Sequence, residues 1–275
     1  MTVPTSGRPL RPGPQQLELV ASTEIARGVF SLVLRRSEPE QAPAPGTFLD
    51  LLPQIPAVAG GAAVLRRPIS IADCSADGRD LTVILRVVGA GTAALVGQTI
   101  GSPVDALGPL GHGFDLDAVE VGGRALLVGG GVGVPPLYLL ARRLVDRGVS
   151  VQMRLGFRDA SDVFYAEEFA RLGEVLISTD DGSAGVGGTV ADLASQPGAR
   201  AFVPDGVFAC GPLPMLRYVQ AAFGAQVRTQ LSLEERMACG VGACYACVVP
   251  DAGDPDHQHR ICWDGPVFDA QEVVL

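Results

Sequence analysis

The most constraining feature of this sequence is a group of cysteines near its C-terminal end. Four of the six cysteines lie close together: Cys239, Cys244, Cys247 and Cys262. The first three have the spacing C-x4-C-x2-C, which is typical of plant-type [2Fe–2S] sites, where a tight loop supplies three thiolates and a later cysteine supplies the fourth. Gly240 and Gly242 fit such a loop, because its backbone needs conformations that a Cβ atom disfavours.

Two other interpretations of these cysteines remain open. A structural zinc site usually pairs its ligands as two C-x2–4-C units, which this spacing matches poorly. Disulfides are typical of small secreted proteins, whereas this chain has 275 residues. The spacing therefore favours an iron–sulfur cluster, with zinc, disulfides or free thiols as the alternatives.

The composition indicates a globular protein that does not bind nucleic acid. Apolar residues make up 47% of the chain and charged residues 19%, a normal balance for packed domains. The net charge is −9 and there is no basic tract, which argues against a nucleic-acid partner. All 21 basic residues are arginines, so any phosphate contact has to come from arginine or from backbone amides, and lysine Schiff-base chemistry is excluded.

We expect a cytoplasmic protein with no membrane partner. No apolar run reaches the roughly 18–20 residues that span a bilayer. Residues 1–16 are rich in Pro, Gly and Arg and lack the apolar segment of a signal peptide, so we predict a disordered extension there. Clustered cysteines in a reducing compartment are more often metal ligands than disulfides.

Residues 17–118 are predicted to form a small antiparallel β-barrel. Short apolar runs alternate there with Gly, Pro and Asp turns. The predicted strands span residues 17–21, 29–34, 47–52, 67–72, 81–88 and 102–106. Residues 53–65, rich in Pro, Gly and Ala, are predicted to be a surface loop before the fourth strand.

Residues 119–225 alternate strand and helix patterns, which predicts a doubly wound parallel sheet. The predicted strands span residues 124–128, 150–155, 175–178 and 206–209. The predicted helices span residues 136–146, 167–172, 189–195 and 213–223. Residues 226–275 are loop-rich around the cysteines and are predicted to form a small cluster subdomain.

Three further motifs are candidate ligand sites. The glycine run 129–133 leaves backbone amides uncovered before a predicted helix, where they could hold a pyrophosphate or form an ordinary turn. The segments RRPISI (66–71) and GAGT (89–92) offer arginine, hydroxyl and amide donors, but each alone also fits an ordinary strand or turn. Cys210 ends a predicted parallel strand, where ligands of α/β proteins collect, although buried cysteines are more often core residues.

The histidines and Cys74 are not predicted to carry chemistry. His112, His257 and His259 lack a convincing metal-ligand spacing. His257 and His259 lie in a polar segment, and we expect them to be solvated. Cys74 lies in a turn and is expected to be structural.

Taken together and in this order, the motifs resemble the ferredoxin–NADP reductase superfamily. More closely, the chain resembles the electron-transfer subunits of two-subunit, NAD-linked dihydroorotate dehydrogenases, from Leu17 onward. The most specific motifs are RRPISI (66–71), GAGT (89–92), LGPLGHGF (107–114), GGGVGVPPL (129–137), TDDGS (179–183), SLEERMACGVGACYACVV (232–249) and CWDGPVF (262–268).

The resemblance implies roles for individual residues. The residues implied to bind FAD are Arg67, Pro68, Ile69, Ser70, Ile84, Leu85, Arg86, Gly91 and Thr92. Those implied to face NAD(H) are Gly130, Gly131 and Gly133, and Cys210 is the implied catalytic residue near the nicotinamide. Cys239, Cys244, Cys247 and Cys262 are the implied ligands of a [2Fe–2S] cluster.

The resemblance also implies a function and a partner. The chain would be an oxidoreductase subunit that passes electrons between NAD(H), FAD and the cluster, to or from the FMN of a partner catalytic subunit, in de novo pyrimidine (UMP) biosynthesis. The implied assembly is a heterotetramer of two chains of each kind. Flavin subunits of sulfhydrogenases and of ferredoxin-dependent NADPH oxidoreductases share this architecture and remain alternatives, as does a zinc-stabilised nucleotide-binding regulator.

The sequence favours NADH over NADPH. Arg158 follows the second strand of the predicted sheet and could meet a 2′-phosphate. Asp159, Asp180 and Asp181 lie nearby in the sequence and would repel such a group, and a carboxylate there could bind a ribose hydroxyl.

Overall fold

The computed structural model describes residues 13–54 and 65–275. In these two ranges a closed six-stranded barrel precedes a mainly parallel sheet, which confirms the predicted fold class. Most of the predicted loop 53–65 and the first twelve residues of the predicted extension lie outside the described residues. Within the described ranges, no helix is both long and apolar enough to cross a membrane.

The barrel has the strand order β1–β2–β5–β4–β3–β6, with antiparallel neighbours throughout. Its elements are β1 (Pro14–Ala26), β2 (Val29–Arg35), β3 (Phe48–Leu51), β4 (Arg67–Cys74), β5 (Asp80–Arg86), α1 (Ala90–Val96) and β6 (Pro103–Leu110). The prediction of disorder is wrong for residues 14–16, because this segment pairs with β6 and places Gln15 opposite Ala106. The Pro- and Gln-rich composition of this segment does not indicate a strand. Backbone hydrogen bonds to β6 are what order it.

The second sheet has the order β10–β9–β8–β7–β11–β12–β15. The elements from Val119 onward are β7 (Arg124–Gly130), α2 (Pro135–Asp146), β8 (Ser150–Phe157), α3 (Ala166–Ala170), β9 (Glu174–Thr179), β10 (Val186–Gly187), α4 (Pro197–Ala201), β11 (Gly206–Cys210), α5 (Leu213–Phe223), β12 (Arg228–Ser232), β13 (Val248–Pro250), β14 (Gln258–Arg260) and β15 (Val267–Asp269). All neighbours are parallel except β15, which runs antiparallel to β12. The helix predicted over 189–195 is a 3-10 turn at Asp192–Ser195.

Two strands of this sheet come from the segment that the sequence pattern marked as loop-rich. β12 lies beside β11, and β15 forms the outer edge beyond it, before the chain reaches its end. The sequence pattern predicts neither strand, because both are short and β12 buries polar residues such as Gln230 and Ser232. The segment that carries the cysteines is therefore joined to the sheet on both sides of the cysteine loop.

Helix α2 joins the barrel to the sheet. Leu137, Leu140 and Leu144 recur on one helical face and are buried in a core shared with the sheet strands. Leu139, on another face, is buried in the core of the barrel. Because one helix is packed into both cores, the positions of the barrel and the sheet are fixed relative to each other, and so is the space between them.

Candidate functional site

A cavity of about 840 Å³ lies where the barrel, the parallel sheet and the C-terminal segment meet. This volume is near the upper end of the roughly 300–1,000 Å³ that small-molecule and cofactor sites occupy. One wall is formed by β4, the end of β5 and the turn before α1, and the other by the carboxyl ends of β7, β8 and β11. Residues 232–235 and Met237 close it on the side of the cysteines.

The sheet wall of the cavity is the place where the strand order reverses. β7 and β11 are neighbours, with Gly129 opposite Cys210. From β7 the sheet continues to β8 and β9 on one side, and from β11 to β12 on the other, so the strand order reverses between β7 and β11. Ligands of open parallel sheets bind at such a switch point. A Cβ atom on Gly133 would lie 2.3 Å from the carbonyl oxygen of Cys210, so glycine is what lets the two turns approach, and Gly130, Gly131 and Gly133 line the cavity.

The barrel wall is organised around Arg67. A Cβ atom on Gly91 would lie 2.6 Å from the Arg67 guanidinium, so the absence of a side chain at Gly91 makes room for that charge. The Thr92 hydroxyl accepts hydrogen bonds from the backbone N–H groups of Val88 (3.0 Å) and Gly89 (3.3 Å), which closes the turn before α1. The result is a fixed arginine beside a glycine turn, an arrangement suited to a phosphate group.

The structure brings the predicted cofactor residues together. Those that line the cavity are Arg67, Pro68, Ile69, Ser70, Ile84, Leu85, Arg86, Thr92, Gly130, Gly131 and Gly133. Gly91 lies behind the Arg67 side chain rather than at the surface of the cavity. These positions fit a dinucleotide-type ligand, because they place a cationic group, a hydroxyl and two glycine turns around a mainly apolar space.

Cys210 does not line the cavity, unlike the two residues that follow it. Its side chain is fully buried, and the next two residues, Gly211 and Pro212, form the cavity wall. Burial raises the pKa of the Cys210 thiol, the negative charge of Glu234 acts in the same direction, and a hydrogen bond with Ser232 opposes them. The thiol is therefore a neutral group behind the wall, and its role near a nicotinamide stays a prediction.

A cluster of charges links the two halves of the site. Asp162 is 2% exposed and pairs with Arg86 from the barrel at 3.2 Å and with Arg158 from the sheet at 2.9 Å. Burial alone would raise the pKa of Asp162, but these two guanidinium groups outweigh it and lower the value. Arg158, the candidate for a 2′-phosphate contact, is thus held by a carboxylate.

The three carboxylates predicted to repel a 2′-phosphate are placed differently. All three lie in the described part of the chain. Asp180 lines the cavity. Asp159 instead pairs with Arg27 at 2.5 Å, and Asp181 accepts a hydrogen bond from Ser183 at 2.6 Å.

Two acidic residues of the site were not found from the sequence pattern. Glu234 lines the cavity, and desolvation by the surrounding protein raises its pKa although solvent reaches the side chain from the cavity. Asp50 on β3 is buried, and a Cβ atom on Gly240 would lie 2.5 Å from its Oδ2 atom. Burial raises the pKa of Asp50 to about 6, against the opposing charges of Arg66 and Arg67. Only tertiary contact places Asp50 beside the cysteine loop, so no local signal marks it.

The structure gathers the four predicted ligand cysteines into one site. Three of them lie in residues 239–247, which we call the cluster loop, and Cys262 closes the site. None of the four forms a disulfide. Gly240 and Gly242 have φ angles of 66° and 77°, as the loop interpretation requires. Cys247 and Cys262 are buried, whereas Cys244 is exposed, so one side of the site faces solvent.

Backbone amides point at the sulfur atoms of this site. The N–H groups of Ala243, Gly242 and Cys262 donate to the Sγ atoms of Cys239 (3.3 Å), Cys262 (3.2 Å) and Cys247 (3.4 Å), respectively. Burial alone would raise the pKa of Cys239, but hydrogen bonds to its thiolate lower it to about 7. Burial and the neighbouring Cys247 raise the pKa of Cys262 to about 12. Amides donated to sulfur are what a [2Fe–2S] cluster needs, so the residues fit that group.

Arg260 holds the outer side of the cluster loop. It forms a two-point ion pair with Asp264 (3.0 and 3.1 Å) and donates to the carbonyl of Gly242 at 3.2 Å. Its guanidinium lies 5.1 Å from the ring centre of Tyr245 and 5.9 Å from that of Trp263, within cation–π range. Tyr245 and Trp263 remain 59% and 46% exposed beside Cys244. An exposed aromatic pair beside the most accessible cysteine is typical of a docking surface.

The fold and the site together define a class of protein. An antiparallel barrel and a parallel sheet that share one cavity form the architecture of ferredoxin-reductase-type flavoproteins. A solved structure from a study of an NADH-dependent reduced ferredoxin-NADP oxidoreductase superposes with a TM-score of 0.78 at 30% identity, and the match covers 98% of this chain and 91% of that one. The FAD/NAD-binding domain of a nitric oxide dioxygenase from Vibrio cholerae shares the fold, with a TM-score of 0.63 at 21% identity over 80% of this chain and 99% of that one.

Sequence comparison identifies the family within this class. Residues 234–274 match the family described as the iron-sulfur cluster binding domain of dihydroorotate dehydrogenase B. The electron transfer subunit of dihydroorotate dehydrogenase B (NAD(+)) from Shouchella clausii is 46% identical over 261 residues, covering 94% of this chain and 98% of that protein. Its counterpart from Geobacillus thermodenitrificans is 46% identical over 263 residues, covering 96% and 99%. The chain belongs to the family of electron transfer subunits of dihydroorotate dehydrogenase B, which confirms the resemblance.

Proposed function

We propose that this chain transfers electrons between NAD(H), FAD and a [2Fe–2S] cluster, and exchanges them with a catalytic subunit that interconverts dihydroorotate and orotate. The observation that carries the proposal is the continuity of the two sites. Met237 lines the cavity and Cys239 begins the cluster loop, so a ligand in the cavity lies next to the cysteines. Membership of the family supports the same function over a sulfhydrogenase subunit, an NADPH oxidoreductase or a zinc-stabilised regulator.

FAD is assigned to the barrel wall. Arg67 would pair with its pyrophosphate, with Gly91 leaving room for the guanidinium and the Thr92 turn fixing the backbone beside it. Ser70, Ile84 and the other residues of β4 and β5 would line its ring system. When bound, the flavin supplies the exchange between two-electron hydride transfer and single-electron transfer, while the protein binds, orients and excludes water.

NAD(H) is assigned to the sheet wall. Backbone amides of the turn 130–133 would bind its phosphates at the switch point between β7 and β11. Arg158 is paired with Asp162, and Asp180 lines the cavity, so a 2′-phosphate would meet a carboxylate and an already neutralised arginine. We therefore propose NADH as the preferred coenzyme.

The partner is proposed to dock over the exposed side of the cluster loop. Cys244, Tyr245 and Trp263 offer a cluster edge framed by aromatic side chains, and Arg260 holds these rings in place. An FMN-containing catalytic subunit bound there would exchange electrons with the cluster over a short path. The proposed assembly is a heterotetramer of two electron transfer chains and two catalytic chains.

The proposal is tested by reconstitution. The purified chain should contain flavin, iron and acid-labile sulfide, and anaerobic NADH should bleach its flavin absorption and produce an EPR signal from the reduced cluster. Together with the co-expressed catalytic subunit, it should support dihydroorotate oxidation coupled to NAD+ reduction. Trp263→Ala should weaken coupling to the partner and leave NADH-dependent reduction of ferricyanide unchanged. A chain without flavin or iron, or a complex that does not couple dihydroorotate to NAD+, would overturn the proposal.

A further inference from the structure

The hairpin formed by β13 and β14 carries a group of side chains that the proposed electron transfer does not use. β13 starts directly after Cys247, and β14 ends two positions before Cys262. Val249 pairs with His259 across the two strands, and the backbone N–H of Asp251 donates to the carbonyl of His257 at 3.2 Å. The hairpin thus places Asp251 across from His257.

Three side chains converge at the end of this hairpin. His257 and His259 are two positions apart on an extended segment, so they project from the same face. Their ring centres are 4.9 Å apart, and the His259 Nε2 atom is 2.7 Å from the Asp251 Oδ2 atom. One nitrogen of each imidazole and one carboxylate oxygen of Asp251 all lie within 4.8 Å of one another. The expectation that both histidines are solvated holds for His257, which is exposed, whereas His259 is partly buried and contacts Asp251.

The carboxylate of this group is held in position before any ligand arrives. The Oδ1 atom of Asp251 accepts hydrogen bonds from the backbone N–H groups of Gly253 (2.7 Å) and Asp254 (2.8 Å). These amides lower the pKa of Asp251, with a smaller contribution from His259. The Oδ2 atom is left to face the imidazoles. His259 is also held, since its ring packs 5.4 Å from that of Phe268.

We propose that Asp251, His257 and His259 form a binding site for a divalent transition-metal ion of the zinc class. Two imidazoles and one carboxylate are a ligand set that favours Zn²⁺ and related ions over Mg²⁺ and Ca²⁺. Bonds of about 2.1 Å in a tetrahedral site place neighbouring ligand atoms roughly 3.4 Å apart. Since the ligand atoms lie within 4.8 Å of one another, the distances between them need to change by at most about 1.4 Å to reach that geometry. His257 is exposed, so the remaining coordination position faces solvent.

The position of the site gives the ion a definite structural effect. It would connect the end of β13 to the start of β14, and these strands lead from Cys247 and into Cys262. An ion bound there fixes the hairpin at its loop end, opposite the end that leads to Cys247 and Cys262. The site does not depend on the proposed function, because its three ligands contact neither the cavity nor the cluster cysteines.

The test is a Zn²⁺ titration by calorimetry of the full chain with flavin and cluster bound, with the visible spectrum recorded throughout to show that the cluster stays intact. One Zn²⁺ per chain should bind, and Mg²⁺ should not. His257→Gln should weaken Zn²⁺ binding by at least about tenfold, the lower end of what is lost when only the support of a ligand is removed. His257 is exposed, so this variant is expected to fold.

The matched control is His112→Gln, which removes the third histidine of the chain and should leave Zn²⁺ affinity unchanged. Asp251→Asn should act like His257→Gln. If the wild-type chain binds no Zn²⁺ with its cluster intact, or if His257→Gln and Asp251→Asn bind it as tightly as wild type, the proposal is overturned. In that case the Asp251–His259 contact is only a hydrogen bond within the hairpin.

Discussion

The cluster loop and the cavity are built in opposite ways. The predicted ligands of the cluster come from one short stretch and Cys262, and the amides that donate to their sulfur atoms belong to that stretch and to Cys262. The cavity is assembled from residues that range from Phe48 to Pro266 and belong to both sheets. The chemistry of the cluster loop can be predicted from the spacing of its cysteines. The cavity instead depends on how α2 joins the barrel to the sheet. The two should therefore respond differently to single substitutions.

The largest effect is expected at the cluster loop. Cys247→Ser removes a buried ligand whose place no neighbouring residue can take, so we expect complete loss of the cluster with flavin binding and NADH-dependent ferricyanide reduction retained. Iron, sulfide and flavin contents measure this. Cys74→Ala, which changes a buried cysteine of the barrel, should keep the cluster. Loss of flavin together with the cluster in Cys247→Ser would show that the two sites are not independent.

The next effect is expected where the two glycine turns meet. Gly133→Ala would bring a Cβ atom to 2.3 Å from the backbone of Cys210, and backbone cannot move aside as a side chain can. We expect a loss of stability of about 1–3 kcal/mol and a rise of about tenfold or more in the KM for NADH. Thermal unfolding and ferricyanide kinetics measure both. Val121→Ala, at an exposed position before β7 that does not line the cavity, is the control and should be close to wild type.

A smaller and more selective effect is expected on the barrel wall. In Gly91→Ala the new Cβ atom meets the flexible end of Arg67, which can swing away, so the fold should be stable while the arginine leaves its position. Losing one charge-assisted contact of about 1.5–3 kcal/mol predicts at least about tenfold weaker FAD binding. Gly89→Ala is the matched control in the same turn, because its Cβ atom meets nothing within 4 Å and its φ of 178° suits any residue. Equal FAD affinity in the two variants would contradict the role of Arg67.

The smallest effect concerns Asp50, which connects the two regions. Its folded-state pKa of about 6 lies above its ordinary value, so the folded chain binds the proton more tightly and stability falls as pH rises through the window between about 4 and 6. Asp50→Asn removes this penalty. We expect it to raise stability by about 1 kcal/mol at pH 8, equal to roughly 2–4 °C in Tm, and to lose the gain as pH falls from about 6 to about 4. A gain that does not depend on pH would show that ionisation of Asp50 is not the cause.

The sequence alone determined the local part of this protein. The spacing of Cys239, Cys244, Cys247 and Cys262 predicts the cluster site, because three of the predicted ligands lie within one turn-rich segment that also supplies the amide donor to Cys239. The alternation of strands and helices determined the fold class. The glycine run 129–133 and the arginine of RRPISI indicated candidate phosphate sites, although each motif alone also fitted an ordinary turn or strand.

Only the tertiary structure decided which distant residues share a site. It placed Asp50 against Gly240, behind the wall that carries Arg67, and it moved the Cys210 thiol out of the cavity. It also placed two short segments, β12 and β15, in the sheet as strands, and it brought Asp251 to His259. These contacts join residues far apart in the chain through pairing and packing. Sequence periodicity reports which face of an element is buried, but not what that face meets.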